Sequence, residues 1–265
     1  MTEPVLYRQE GRIAIITLNR ADTRNALSDE VVPALIAQLK RANADTGISC
    51  VILTGAGPSF SSGGNLKEIR AMTQEKNLSV HEIRNWYIDC IQQIPHTMAK
   101  LTVPVICAVN GHAIGAGCDL TMMCDIRIAS EKAVFAESFM RVGLIPGDGG
   151  AWFLPRVIGL SRACEMSYTC DMIDANKAER WGMVSEVVPH EQLLDAALAM
   201  ARRIVAHPPM GVRYAKKLLV ESQHMPLTAA LEMAAGMQAT LQNTEDHLEA
   251  IDAALEKRTP VFKGC

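Results

Sequence analysis

Residues 103–119 read VPVICAVNGHAIGAGCD, and this stretch indicates the fold class. Its first seven residues are an apolar run that predicts a buried strand, and the small residues after it predict a tight connection into a helix. Residues 50–66 repeat the arrangement, with the strand CVILT at 50–54 and the small-residue segment SFSSGGNL at 59–66. Strands that alternate with helices in this way are typical of an α/β layered core.

Further elements extend this pattern over the first two thirds of the chain. Apolar runs predict three more strands, at 11–19, 126–129 and 184–188. Ser28 is predicted to cap a helix that runs to about Asn43. The apolar residues of this helix recur at helical spacing on one face: Val31, Val32, Leu35, Ile36 and Leu39.

The C-terminal part of the chain is predicted to be helical. Helices are expected at 191–206, 210–222 and 225–241, so we predict an α/β core over residues 1–195 and a helical C-terminal subdomain over residues 196–265. The segment 225–241 carries a single charge, Glu232, which is too little polar surface for a solvated helix. Burial against another subunit and burial within the same subunit are both open, and the first predicts a homo-oligomer.

The composition is that of an ordinary globular protein. The chain has 265 residues, with 26 basic and 29 acidic side chains and 49% hydrophobic residues, which argues against disorder. The net charge of −3, the lack of a Lys/Arg-rich run and the 5% of aromatic residues argue against a nucleic-acid partner. The apolar stretch 101–118 is broken by Pro104, Asn110 and several glycines, so we expect no membrane partner either.

Cysteine usage and missing motifs narrow the function further. The eight cysteines include no CxxC pair, and their apolar settings favour free thiols in a reducing compartment. Because Glu3, Arg8 and Glu10 leave no apolar leader segment, we expect a cytoplasmic protein. The motifs GxGxxG, GxxxxGKS/T, HExxH and GxSxG are absent, and no acid/His cluster has ligand spacing. We therefore expect neither a dinucleotide cofactor nor a metal.

Two small-residue turns are the candidate functional elements. Each, at 59–66 and 110–119, places backbone N–H groups where a strand gives way to a helix N-terminus. Such N–H groups lack intrahelical partners, and the helix dipole there favours negative charge. Two of them that converge on one point form an oxyanion hole. From the spacing alone, two ordinary tight turns remain the alternative.

Six segments taken together resemble the crotonase superfamily, also called the enoyl-CoA hydratase/isomerase family. They are NAL at 25–27, VILTGAGPSFSSGGNL at 51–66, PVICAVNGHAIGAGCDLTMMCD at 104–125, VGLIPGDGGAWFLP at 142–155, AERWGMVSEVV at 178–188 and KRTPVFKG at 257–264. They occur in the family's order and cover nearly the whole chain. The resemblance implies an α/β crotonase (ClpP-like) fold, in which repeated ββα units form two roughly perpendicular sheets. It also implies a homotrimer or hexamer, with residues 196–265 as the trimerisation subdomain, and a coenzyme A thioester substrate.

The resemblance also implies which residues form the site. By position in the matching motifs, the two oxyanion-hole amides fall at Gly64 and Ala116, where each would stabilise a thioester enolate by about 2.7–4 kcal/mol. The implied substrate- and CoA-binding residues are Arg24, Ala26, Leu27, Ser62, Gly63, Asn65, Leu66, Gly115, Phe139, Phe262 and Lys263. For Arg24 a solvated surface side chain is an open alternative. The C-terminal pair is open to a site on a neighbouring subunit or to an ordinary frayed tail.

The acids depart from the family pattern. A hydratase of this family uses two glutamates; the first falls at Asp119, which is one methylene shorter, and the second at Phe139, which cannot transfer a proton. Asp148 lies in the loop at 146–150 and is the predicted replacement, so Asp119 and Asp148 form the predicted catalytic pair. A turn role for Asp148, a capping role for Asp119 and a catalytic role for Glu137 remain open.

These observations predict an acyl-CoA-processing enzyme of the enoyl-CoA hydratase/isomerase type, with no cofactor beyond the CoA of its substrate. Double-bond isomerisation only removes and returns a proton, so it survives the loss of one carboxylate better than hydration does. A carbon–carbon or thioester hydrolase of the same fold is the first alternative. A non-catalytic acyl-CoA-binding protein is the second, and Phe139 motivates it.

Overall fold

The structure is a computed structural model that describes residues 3–74 and 76–264. The strands are β1 (Val5–Glu10), β2 (Ile13–Leu18), β3 (Cys50–Gly55), β4 (Ser59–Ser61), β5 (Val105–Val109), β6 (His112–Ile114), β7 (Ile126–Ser130), β8 (Val134–Ala136), β9 (Ile173–Asp174) and β10 (Glu186–Val188). The helices are α1 (Val31–Ala44), α2 (Leu66–Gln74), α3 (Val80–Asp89), α4 (Gln93–Lys100), α5 (Ala116–Met122), α6 (Gly150–Ile158), α7 (Leu160–Thr169), α8 (Ala175–Arg180), α9 (Leu193–Val205), α10 (Pro209–Glu221), α11 (Leu227–Gln242) and α12 (Glu245–Glu256).

The strands form two sheets. The larger has the order β1-β2-β3-β5-β7-β10, in which β1 is antiparallel to β2 and the other neighbours are parallel. The smaller has the order β4-β6-β8-β9, with β9 antiparallel to β8. Three segments share one order of elements: a strand of the larger sheet, a strand of the smaller sheet and then a helix. They are β3-β4-α2, β5-β6-α5 and β7-β8-α6. These are the repeated ββα units that were predicted.

The larger sheet is buried on both faces because successive side chains of its strands point to opposite sides. Val51 and Leu53 of β3 belong to one apolar core, which α1 completes. Cys50 and Ile52, the alternate residues of the same strand, belong to a second core, which α9 covers through residues such as Ala197. The helix α9 contains the predicted domain boundary at 195/196, which stays a prediction, and it packs against the sheet.

Several local predictions differ from the structure. The helix α1 begins at Val31 with Glu30 at its cap, and Ser28 only accepts a long hydrogen bond, 3.4 Å, from the Val31 amide. The segment 110–119, predicted as a turn, contains β6 of the smaller sheet. Gly111 is required there because a Cβ would overlap the carbonyl oxygen of Pro58.

The last three helices, α10, α11 and α12, contribute no described residue to either apolar core. The predicted segments 210–222 and 225–241 correspond to α10 and α11, while α12 and the first strand, β1, were not predicted. The helix α11 contributes no buried residue, so burial within the same subunit, one of the two open alternatives, is not observed for this helix. Its leucines Leu227 and Leu231 are 73% and 60% exposed, which leaves an apolar surface uncovered.

Candidate active site

Two backbone amides, those of Gly64 and Ala116, lie at the equivalent point of two ββα units, where the second strand passes into the helix. Among the hydrogen bonds of the described residues, none is donated by either amide. Gly63 brings the two loops together: its φ is +83°, and a Cβ on it would overlap the carbonyl oxygen of Ile114 and lie 3.2 Å from the Ala116 nitrogen. The two predicted oxyanion-hole donors are therefore free to bind an anionic oxygen.

The NAL motif holds this arrangement through its asparagine. Asn25 is fully buried at a φ of +54°, a conformation that asparagine adopts more readily than most residues. Its amide nitrogen donates to the carbonyls of Ala56 (2.9 Å) and Ser59 (2.8 Å), on either side of the turn before β4. Leu27 then pairs with Gly64 in a parallel β-bridge, and its amide donates to the Gly63 carbonyl at 2.8 Å.

A cavity of about 320 Å³ opens beside the amide pair. Ten of the predicted site residues line it: Leu27, Ser62, Gly63, Gly64, Asn65, Leu66, Gly115, Ala116, Phe139 and Asp148. The other five do not. Arg24 lies in an adjoining surface groove, Ala26 is buried, and Asp119 is enclosed below the site. Phe262 and Lys263 lie beside the start of α12, where the Lys263 amide donates to Asp246 at 2.7 Å.

Asp148 is the predicted catalytic acid that reaches the cavity. Its side chain is only 7% exposed, and burial raises the pKa of this carboxyl from its ordinary 3.8 to about 6. The loop that carries it is held by Gln92, whose side-chain nitrogen donates to the Gly147 carbonyl at 3.0 Å. A carboxyl with a pKa close to neutral can both accept and return a proton, which suits general acid–base chemistry.

Asp119 and Glu137 form a buried carboxyl pair outside the cavity wall. They are 0% and 1% exposed, and none of their four oxygens accepts a hydrogen bond from a donor in the described part of the chain. Burial raises the pKa of both groups, that of Glu137 to about 7. Because burial opposes the ionisation of both groups, the neutral form of at least one carboxyl is favoured. Gly150 packs directly on Asp119, since a Cβ there would overlap the carboxylate.

Phe139 lies beside Gly115 and the amide of Ala116. It begins a short 3-10 helix, Phe139–Val142, and its ring atoms Cζ and Cε2 would lie 3.8 and 3.9 Å from a Cβ on Gly115. Gly115, at a φ of +53°, directly precedes the Ala116 amide. A phenyl ring thus lies near the Ala116 amide, at the position where the resemblance puts a hydratase's second glutamate.

Sequence reasoning missed the wall that α3 and its neighbours provide. Trp86 and Tyr87 of α3, together with Ile69 and Ile91, line the cavity. The adjacent pair Trp86-Tyr87 inside a polar helix was the available signal. The position of these two rings depends on how the segment between β4 and β5 folds over the site. The spacing of residues within the segment does not specify this arrangement.

Two further observations concern metal clusters and membrane spans. Among the described residues, no cluster of three or more His, Cys, Asp and Glu side chains is arranged to hold a metal ion. No described helix combines the length and apolar character that a membrane span requires.

The two-sheet architecture, the paired amides and the adjoining apolar cavity define a protein of the crotonase superfamily, as the motifs predicted. A family model described as Enoyl-CoA hydratase/isomerase matches residues 8–265. The chain belongs to this family, and the predicted crotonase fold and hydratase/isomerase class are confirmed.

Individual relatives show both activities of the family. The chain is 37% identical to a 2,3-dehydroadipyl-CoA hydratase of Escherichia coli over 264 residues, which cover 100% of both chains. It is 35% identical, again over 100% of both chains, to the 1,2-epoxyphenylacetyl-CoA isomerase of the same organism. Its structure superposes on the crystal structure of an enoyl-CoA hydratase from Bacillus anthracis with a TM-score of 0.92 and 34% identity, covering 99% of this chain and 100% of that one.

Proposed function

We propose that this protein is an enoyl-CoA isomerase, which moves a double bond from the β,γ to the α,β position of a CoA thioester. The observation that carries the proposal is the division of the acids. Asp148 lines the cavity, Phe139 replaces a second carboxyl beside the amide pair, and Asp119 is enclosed outside the cavity wall. Hydration needs one group to activate water and another to protonate the α-carbon, whereas isomerisation needs a single group that moves one proton.

The chemistry follows from the geometry of the cavity. The thioester oxygen accepts hydrogen bonds from the amides of Gly64 and Ala116, which stabilise the charge that develops there. Asp148, ionised at neutral pH, takes a proton from the α-carbon and gives a dienolate. The same carboxyl, now protonated, returns the proton to the γ-carbon, and the conjugated thioester forms. The reaction is balanced without a metal or a redox cofactor, so we propose that CoA enters only as part of the substrate.

A second cavity acid, Glu68, is less suited to this role. Its carboxylate accepts a hydrogen bond from the Asn65 side chain at 2.9 Å and a longer one from the Asp29 amide at 3.4 Å. These bonds hold the carboxylate against the start of α2. Asp148 has its pKa raised by burial, and this makes it the better proton carrier.

The same proposal includes a homotrimer or hexamer. Large apolar side chains are exposed on the two C-terminal helices: Leu227, Leu231, Leu248, Ile251 and Leu255. An apolar surface of this kind is typical of a subunit interface. A cytoplasmic location is also part of the proposal, supported by the seven described cysteines, which are free thiols.

The decisive experiment offers the purified protein trans-3-hexenoyl-CoA, crotonyl-CoA and a β-ketoacyl-CoA, and follows the products by proton NMR and mass spectrometry. We expect conversion of the first substrate to the conjugated 2-enoyl thioester, little hydration of the second and no cleavage of the third. Products that are only 3-hydroxyacyl-CoA, or only free CoA and acid, would contradict the proposal. An Asp148→Asn variant is the matched control, since it keeps the shape of the side chain and removes the base.

A further inference from the structure

Three aromatic rings lie on the wall of the cavity. The chain has only twelve aromatic residues, and Trp86, Tyr87 and Phe139 all line this one cavity. The first two pack edge to face, with ring centroids 5.1 Å apart and an interplanar angle of 83°. Phe139 lines the same cavity from a distant part of the chain, beside Gly115. This concentration of rings is not needed to stabilise an enolate or to carry a proton.

The rings are positioned to contact an acyl group. All three are half-buried, so part of each faces the open space of the cavity. The indole nitrogen of Trp86 donates to the Asp29 carboxylate at 3.3 Å, and therefore needs no polar partner inside the cavity. The remaining aliphatic wall includes Ile69 and Ile91. The surface that meets an acyl group beyond the thioester is thus largely apolar and partly flat.

The cavity also has sufficient room for a ring. A cavity of about 150 Å³ lined by apolar side chains already accommodates benzene. The present cavity measures about 320 Å³, which leaves space for a six-membered ring together with the thioester end. A ring brings its contact area without freezing the rotatable bonds that a flexible chain of the same size must immobilise. Ring faces and edges also make directional contacts with aromatic side chains, which a linear chain does not make.

We propose that the acyl group of the substrate carries a six-membered carbocycle close to the thioester, and that Tyr87 and Phe139 select it. This inference rests on the proposed isomerase function. A fitting reaction converts a cyclohex-1-enylacetyl thioester into its cyclohexylideneacetyl isomer. Asp148 removes a proton from the α-carbon, the ring double bond moves to the bond between the α-carbon and the ring, and the proton returns to the ring γ-carbon. No electrons or other groups are exchanged with a third reactant.

The test compares ligands that have the same number of acyl carbons. Isothermal titration measures the dissociation constants of phenylacetyl-CoA and octanoyl-CoA, each with eight acyl carbons. An unselective apolar cavity binds the flexible octanoyl group at least as tightly, because it offers more apolar surface. We expect phenylacetyl-CoA to bind about tenfold more tightly, the effect of one or two ring contacts. The variants Tyr87→Leu and Phe139→Leu should each reduce this preference while octanoyl-CoA still binds.

The control variant is Tyr168→Leu, which removes an aromatic ring that is 71% exposed and does not line the cavity. It should keep the full preference. A preference of the unaltered protein below about threefold, or a preference that both cavity variants retain, overturns ring selection. The proposed isomerase is judged separately, by the conversion of trans-3-hexenoyl-CoA. If that thioester is isomerised while the ring preference is absent, only the present inference fails; if no 3-enoyl thioester is isomerised, the function itself fails.

Discussion

Replacement of Asp148 by asparagine should remove activity and stabilise the fold at the same time. Burial raises the pKa of this carboxyl from 3.8 to about 6, which means that the folded chain binds the proton more tightly than the unfolded chain. The resulting decrease in the free energy of unfolding is absent below the pKa of the unfolded chain. It grows as the pH rises towards 6 and is constant above that value. Each pKa unit corresponds to about 1.4 kcal/mol, so ionised Asp148 costs the folded state about 3 kcal/mol.

The Asp148→Asn variant carries no charge at any of these pH values. Its free energy of unfolding should exceed that of the unaltered protein by up to about 3 kcal/mol at about pH 7.5, and by about half as much at about pH 5. Urea unfolding at the two pH values measures this difference. Turnover of trans-3-hexenoyl-CoA should fall by about 10²- to 10⁴-fold, because the carboxyl proposed to carry the proton is gone.

An exposed aspartate provides the control for the charge itself. Asp171 does not line the cavity, and its replacement by asparagine should change the free energy of unfolding by no more than about 0.5 kcal/mol at either pH. The reasoning is refuted if the difference in free energy of unfolding between Asp148→Asn and the unaltered protein is no larger at about pH 7.5 than at about pH 5. It is equally refuted if that variant turns over at the original rate.

Three further substitutions test the surroundings of the site. Glu137→Gln should be more stable than the unaltered protein by an amount that grows as the pH rises from 4.5 to about 7, because burial raises the pKa of Glu137 to about 7 and an amide does not ionise. An unchanged pH dependence of unfolding would contradict this burial penalty. Gly150→Ala should destabilise by about 1–3 kcal/mol in urea unfolding, because the new methyl overlaps the Asp119 carboxylate, whereas Gly211→Ala, with ordinary contacts around its position, should not. Phe139→Glu should raise the hydration of crotonyl-CoA above that of Phe139→Gln, and equal rates for the two would show that a carboxylate at this position does not reach the α-carbon.

The parts of the fold that sequence patterns predicted are those with strong local signals. The strands β3 and β5 are continuous apolar runs buried on both faces, and such runs are visible without knowledge of the partner. The three-residue strands β6 and β8 carry no comparable signal, because their length is below that at which a pattern repeats. They exist because Gly111 permits close contact with Pro58 and because the neighbouring ββα units supply pairing partners.

The candidate site divides in the same way. The amide positions Gly64 and Ala116 follow from motifs that span a few residues, and the structure brings those two loops together. The burial of Asp119 does not follow from its motif, since it results from Glu137 and Gly150, which are distant in sequence. The rings of α3 were missed for the same reason. Their place in the cavity depends on how the long segment between β4 and β5 folds, and not on their neighbours in sequence.

The two free amides come from two separate ββα units, and neither is a side chain. A point mutation therefore cannot delete either donor unless it introduces proline or distorts the loop, so the capacity to bind an anionic thioester oxygen is inherited with the backbone. The acids and the cavity wall are side chains, each of which a single codon change can replace. A protein with this fold can carry a phenylalanine at position 139, where the resemblance puts a glutamate, and keep both amides while the reaction that follows changes. Side-chain substitutions in the cavity can therefore change the reaction while the two backbone donors stay in place.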